Sequence, residues 1–187
     1  GVQTCALPIL VRTLGLSDEF TLYSVFIMRN WENGNTEIMN IAKSVNGWGK
    51  VHAVHYIEPD TEEIKYWLLT GAVSNDVMPA YSGWDCYKKA DVEAILKKDG
   101  LTYEELEGVL SIVDAMLDEG PVLGISNVEN PKEILLAVLN HSIKHLPLSS
   151  KNCEVISDIS DWQKENLADE NCEIDLLVNQ ILEAGRR

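Results

Sequence analysis

Four histidines, His52, His55, His141 and His145, are the side chains of this chain with the widest chemical reach. His52, His55 and Glu58 are spaced i, i+3, i+6, and His141 and His145 are spaced i, i+4. Either spacing sets imidazoles on one face of a helix. Two such helices together would supply four nitrogens and a carboxylate. Non-haem iron oxygenases need only two histidines and one carboxylate, and zinc accepts the same donors. The same residues also have plainer uses. Glu58 precedes Pro59, which places it past a helix end. His145 falls near a helix C-terminus, where the helix dipole favours a cation without any metal.

No other constellation assigns a catalytic residue. There is no Gly-x-Ser-x-Gly elbow, phosphate-binding loop, His-Glu-x-x-His pair, haem-thiolate loop or dinucleotide fingerprint. The carboxylate pairs Glu62/Glu63 and Glu104/Glu105 sit at helix starts, where capping and the dipole account for them. Cys5, Cys86, Cys153 and Cys172 form no close pair, so they read as free thiols in a reducing, cytoplasmic setting. Cys86 reads as a buried structural thiol.

These residues must be positioned by helices. Ser17 caps residues 17–31, where Phe20, Tyr23, Ile27 and Trp31 form a helical stripe. Asn33-Gly34-Asn35 is turn chemistry, and Thr36 starts a helix carrying Ile38, Ile41, Ala42 and Val45 that ends at Asn46-Gly47. Further helices are expected over 48–57, from Asp60 or Thr61 to Gly71, within 77–90, and from Asp91 to Gly100. Thr102 and Glu105 form a capping-box pair that opens a helix from Tyr103 to about Leu117. Asn130-Pro131 opens another that ends before Pro147. A polar helix spans 150–165, and the last runs from about Glu170 to Ala184. No stretch alternates with strand period for long. The expectation is therefore an all-α chain of eight or nine helices.

A repeat is visible. Tryptophans fall at 31, 48, 67 and 84, and Gly47-Trp48 recurs as Gly83-Trp84. Asp60-Thr61-Glu62-Glu63-Ile64 has a counterpart in Asp91-Val92-Glu93-Ala94-Ile95. Spacings in the thirties suit helix-pair repeats.

Met28-Arg29-Asn30-Trp31-Glu32-Asn33-Gly34-Asn35, Asn46-Gly47-Trp48-Gly49-Lys50-Val51-His52-Ala53-Val54, Glu58-Pro59 and Thr61-Glu62-Glu63-Ile64-Lys65 together resemble a group of uncharacterised bacterial proteins with HEAT-like helical repeats. Some members carry the label limonene hydroxylase. The resemblance covers about residues 17–96. It implies a HEAT-like α-α superhelix and names no catalytic residues. Gly1 to Ile9 resembles the conceptual translation of a sequencing adapter. That implies a non-native leader over 1–9 and an N-terminally truncated metagenomic fragment, with the helical domain spanning 10–187.

Thirty acidic against fifteen basic residues give the chain a net charge of −15. Residues 1–100 hold 13 acids and 9 bases, and residues 101–187 hold 17 acids and 6 bases. The sequence thus divides into a repeat-like part, 10–100, and an acidic helical half, 101–187. Such a surface repels nucleic-acid phosphates and anionic lipid, so neither nucleic acid nor membrane is an expected partner. A helical-repeat scaffold that binds a protein partner is the leading reading, without a cofactor. Its candidate contact residues are Trp31, Asn33, Asn35, Trp48 and Lys50, in or beside turns. The alternative is a metal-dependent enzyme of the hydroxylase kind, using His52, His55, His141 and His145 with non-haem iron or zinc.

Overall fold

A computed structural model describes residues 3–167 and 172–185, with side chains from residue 7 onward in the first segment and from residue 173 in the second. The chain is all-α, and no strand occurs among the described residues. Eleven α-helices are present among the described residues, where eight or nine were expected. It divides into two compact units, Gly1–Ala90 and Asp91–Arg187. That boundary falls short of the change in charge at residue 100. None of the helices among the described residues is long and apolar enough to cross a membrane.

The first unit holds α1 (Gln3–Gly15), α2 (Asp18–Met28), α3 (Gly34–Ala42), α4 (Trp48–Tyr56), α5 (Glu62–Thr70) and α6 (Ala80–Lys89). Neighbours in sequence pair as hairpins, α1 with α2, α3 with α4 and α5 with α6. Alternate helices then stack: α2 on α4 and α4 on α6 make one layer, and α3 on α5 belongs to the other. This is the packing order of a helical repeat. Its period is read from helix starts at residues 18, 48 and 80, which are 30 and 32 apart. The tryptophan spacing does not follow it: Trp48 opens α4, whereas Trp84 lies within α6. α1 runs through residues 3–9, the stretch read as a leader, and its first buried side chain among those described is Val11.

Small residues set how closely α2 and α4 approach. α2 buries Thr21, Ser24, Val25 and Met28, and α4 turns Gly49 and Ala53 inward. A side chain at Gly49 would collide with the Thr21 hydroxyl and lie 2.7 Å from Asp18 Oδ1. The helical period of Phe20, Tyr23 and Ile27 is as expected, but that stripe faces outward and is 48%, 66% and 43% exposed. Hydrophobicity alone suggested the opposite orientation. The close seam selects the small, partly polar face instead.

The second unit holds α7 (Val92–Leu96), α8 (Tyr103–Leu117), α9 (Pro131–Ile143), α10 (Ser150–Asn166) and α11 (Cys172–Gly185). α8 packs on α9 and α10, and α11 packs on the same two, so these four close a ring. Leu110, Val113, Leu139, Ile156, Ile159 and Ile181 are fully buried or nearly so in its interior. α10 reads as polar in sequence, yet Val155, Ile156, Ile159 and Trp162 form its buried side. Glu170, the expected start of the last helix, lies outside the described residues.

Helix ends follow their local chemistry closely. Thr61 accepts from the Ile64 amide at 3.2 Å, and Thr102 and Glu105 complete a reciprocal capping box. The Asn46-Gly47 pair behaves differently from expectation. α3 ends at Ala42, and Gly47 is instead the residue that precedes α4. Thr102→Ala removes one half of the box and leaves the Glu105 amide without its acceptor. It should lower the unfolding free energy of the second unit by about 1 kcal/mol, measured by urea denaturation followed at 222 nm.

Candidate functional site

The outer face of the α2–α4–α6 layer carries most of the chemistry in the first unit. On α4, Trp48, His52 and His55 follow at i, i+4, i+7, so they share one side of the helix. The opposite side is buried through Gly49, Lys50, Ala53 and Val54. On α6, Tyr81, Trp84 and Asp85 face the same way out, while Ser82, Gly83, Cys86 and Tyr87 are buried.

Trp48 is 48% exposed, with its ring 5.0 Å from that of Tyr81 and 6.0 Å from that of His52. At the other end of the row, His55 Nδ1 is 2.8 Å from Asp85 Oδ2. Tyr56 extends the row to α2, with its ring 4.9 Å from Phe26 and the Arg29 guanidinium 5.5 Å above it. The result is a band of aromatic and imidazole rings across three helices, with one carboxylate and several cations around it. Such rings bury much area at small entropic cost and are the usual anchors of protein contacts.

The residues expected to touch a partner therefore separate into different roles. Trp48 is on this band. Trp31 is half-buried under the Arg12 guanidinium at 5.3 Å, in the turn after α2. Asn33 is exposed at the residue before α3 and makes no side-chain cap. Asn35 is a tie within the fold. Its amide donates to Asp60 Oδ2 at 2.6 Å, and its carbonyl oxygen accepts from the Glu58 amide at 3.1 Å. Lys50 is turned inward and only 7% exposed, so it is not a surface contact. Its ammonium donates to the Gly71 carbonyl at the end of α5, 3.2 Å away. Burial holds its pKa below the usual lysine range, against the opposing pull of Cys86 and Asp76.

The two histidine pairs lie in different units. His52 and His55 belong to the first unit, and His141 and His145 to the second. Glu58 lies beyond α4, and the Ile57 backbone before it is already extended. In the second unit, α9 lies against the chain that follows α7. His141 Nε2 donates to the Leu96 carbonyl at 3.1 Å, Lys144 Nζ to the Asp99 carbonyl at 2.7 Å, and His145 Nε2 to the Leu101 carbonyl at 2.8 Å. The i, i+4 spacing thus matches backbone acceptors at the end of a helix. Among the described residues, no group of three His, Cys, Asp or Glu side chains is placed to hold a metal ion. Cys86 is fully buried, and burial raises its thiol pKa far above the ordinary value. Cys153 is a half-buried free thiol, and the side chains of Cys5 and Cys172 lie outside the described residues.

One cluster was not singled out from the sequence. Asp114 and Asp118, from α8 and its end, meet Asp158, Asp161 and Glu165 of α10 around a groove of about 300 Å³ floored by Leu117 and Trp162. Half-burial and then the Asp158 charge raise the Asp114 pKa, and Lys151 partly offsets them. The i, i+4 and i, i+3, i+7 spacings were present in the sequence as a signal. Pairing them required knowing that α8 packs on α10.

No protein-family model, curated protein or solved structure matches the chain.

Two outcomes follow. Asn35→Ala should cost about 1–2 kcal/mol of stability, because it leaves the Glu58 amide and Asp60 without partners, and chemical denaturation measures this. A carboxyl whose pKa is raised by folding holds its proton more tightly in the native state, so its ionised form opposes folding at neutral pH. Asp114→Asn should therefore raise the melting temperature at pH 7. The gain should shrink as pH falls through the acid range and vanish once Asp114 is protonated in both states.

Proposed function

We propose that this chain is a helical-repeat interaction module of the HEAT-like kind, and that the ring-lined face of α2, α4 and α6 receives a segment of a protein partner. The observation that carries the reading is Trp48, half-exposed and set between Tyr81 and His52. A large ring held by neighbouring rings loses little freedom when a partner covers it. The band also mixes its rings with charge, from Arg29 at one edge to Asp85 at the other. That mixture suits an amphipathic or extended peptide better than a purely apolar one. Repeat stacks present such faces as continuous surfaces. The chain's large negative charge supports protein over nucleic acid as partner. The free thiols Cys86 and Cys153 support a reducing, cytoplasmic setting.

Panning a displayed-peptide library on the full chain tests the reading. Selected peptides should bind the wild-type chain and lose about tenfold or more in affinity for the Trp48→Ala, Tyr81→Ala double variant. That variant should keep its helical circular dichroism, because both rings sit on the outside of the layer. Peptides that bind wild type and variant equally would remove this face as the binding site.

A further inference from the structure

Two unmet demands coincide at the groove between α8 and α10. The first is for positive charge. Asp114 and Asp118 stand at the C-terminal end of α8, and Asp158, Asp161 and Glu165 follow one another toward the C-terminal end of α10. A helix C-terminus carries the negative end of the dipole and ordinarily attracts lysine or arginine. α8 has no basic residue in its last turn, and α10 has Lys164, which takes Asp161 at 3.4 Å. Among the described residues, the side chains of Asp114, Asp118, Asp158 and Glu165 make no hydrogen bond or ion pair. Half-burial and the Asp158 charge both oppose ionisation of Asp114, with Lys151 a partial offset. The second demand is for a hydrogen-bond acceptor. Trp162 lines the same groove and is 7% exposed. Its indole Nε1 is buried and has no acceptor among the described residues, although carboxylates line the groove with it. Buried N–H groups left in that state are rare in folded proteins.

We propose that this groove receives an arginine of a basic polypeptide segment, with the guanidinium among the carboxylates and a backbone carbonyl of the segment on the Trp162 indole N–H. A small cation meets only the first demand. A polyamine has charge but no carbonyl to offer the indole. A metal ion offers no acceptor either, and among the described residues no cluster of metal-ligating side chains is placed to hold one. A peptide carries a cation and an acceptor a few bonds apart. Arginine suits the site better than lysine, because its planar fork of donors serves several carboxylates at once. Its methylene stem has Leu117 to lie on. A volume of about 300 Å³ is at the small end of ligand sites and gives room for one side chain with its peptide groups. Long-range charge acts in the same direction. Residues 101–187 hold 17 acids against 6 bases, a field that draws a basic segment in. The groove lies within the second unit, so this proposal and the ring-lined face of the first unit can each fail alone.

Fluorescence anisotropy of a blocked, labelled peptide of alternating arginine and glycine, titrated with the full chain in physiological salt, tests the proposal. The peptide should bind, and Asp118→Asn with Asp158→Asn should weaken it about tenfold or more. Glu104→Gln with Glu107→Gln removes the same charge from exposed positions at the start of α8 and should change the affinity by less than about twofold. Trp162→Phe keeps a ring and removes the N–H. It should weaken the peptide by about fivefold and leave spermine binding, measured by calorimetry, unchanged. Should that variant misfold, the indole N–H resonance of Trp162 in the wild-type chain gives the same reading: the peptide should shift it and spermine should not. A peptide that does not bind overturns the proposal. Equal losses in the two carboxylate variants assign the binding to diffuse charge and overturn it as well. So does a folded Trp162→Phe chain with undiminished affinity, or an indole resonance that bound peptide leaves in place. A lysine-glycine peptide of equal affinity overturns the choice of arginine.

Discussion

Close approach of α2 and α4 is the constraint on which the first unit depends. Gly49 lies flush against Thr21, and Thr21 is itself fixed by donating to the Gly15 and Ser17 carbonyls, each at 2.9 Å. Asp18 closes the seam at the helix starts, taking the Gly49 amide that would otherwise be an unpaired donor in the first turn of α4. Gly47 belongs to the same seam, since a side chain there would crowd the Asp18 carboxylate at 3.0 Å. Because the two helices sit this close, the outer sides of α2 and α4 form one surface. Phe26 can then reach Tyr56, and the rings of three helices join into a band.

A second principle runs through both units. Helix C-termini leave carbonyls unpaired at the negative end of the dipole, and cationic or N–H side chains from a neighbouring helix close them. Lys50 of α4 closes α5 at Gly71. Lys89 of α6 donates to the Val54 and His55 carbonyls near the end of α4, at 2.8 and 2.5 Å. His141 of α9, with Lys144 and His145 just past its end, does the same for the Leu96, Asp99 and Leu101 carbonyls at and after the end of α7. These lysine and histidine side chains thereby tie neighbouring helices together within each unit. Buried His141 has its other nitrogen, Nδ1, without a hydrogen-bond partner among the described residues.

Local signals in the sequence were strong wherever a helix end depends on its own residues. Thr61, Asp91, Thr102 and the Asn130-Pro131 step each mark a real helix start. Signals failed where the answer lies in a partner helix. The orientation of α2 reversed because Gly49 and Ala53, some thirty residues away, make room only for a small face. Lys50 and Asn35 looked like surface contacts because polar residues near turns are usually solvated, yet each is aimed at a backbone group or carboxylate of the next hairpin. The tryptophan spacing suggested a longer period than the helices show, because large rings fill gaps wherever they occur rather than at equivalent places. Trp48 was legible as a candidate contact, but its neighbours Tyr81 and His52 become a band only through the stacking of α4 on α6.

The melting temperature of Gly49→Ala measures the seam directly. Within a helix, alanine is favoured over glycine by about 1 kcal/mol, so an open helix would gain stability from the change. At this seam the added methyl meets the fixed Thr21 side chain and Asp18. The overpacking costs about 1–3 kcal/mol and outweighs the propensity gain. A lower melting temperature is therefore expected, recovered in part by adding Thr21→Ala, which takes away the hydroxyl that the new methyl meets. A higher melting temperature for Gly49→Ala alone would contradict the close approach of α2 and α4, and with it the continuous face built upon it.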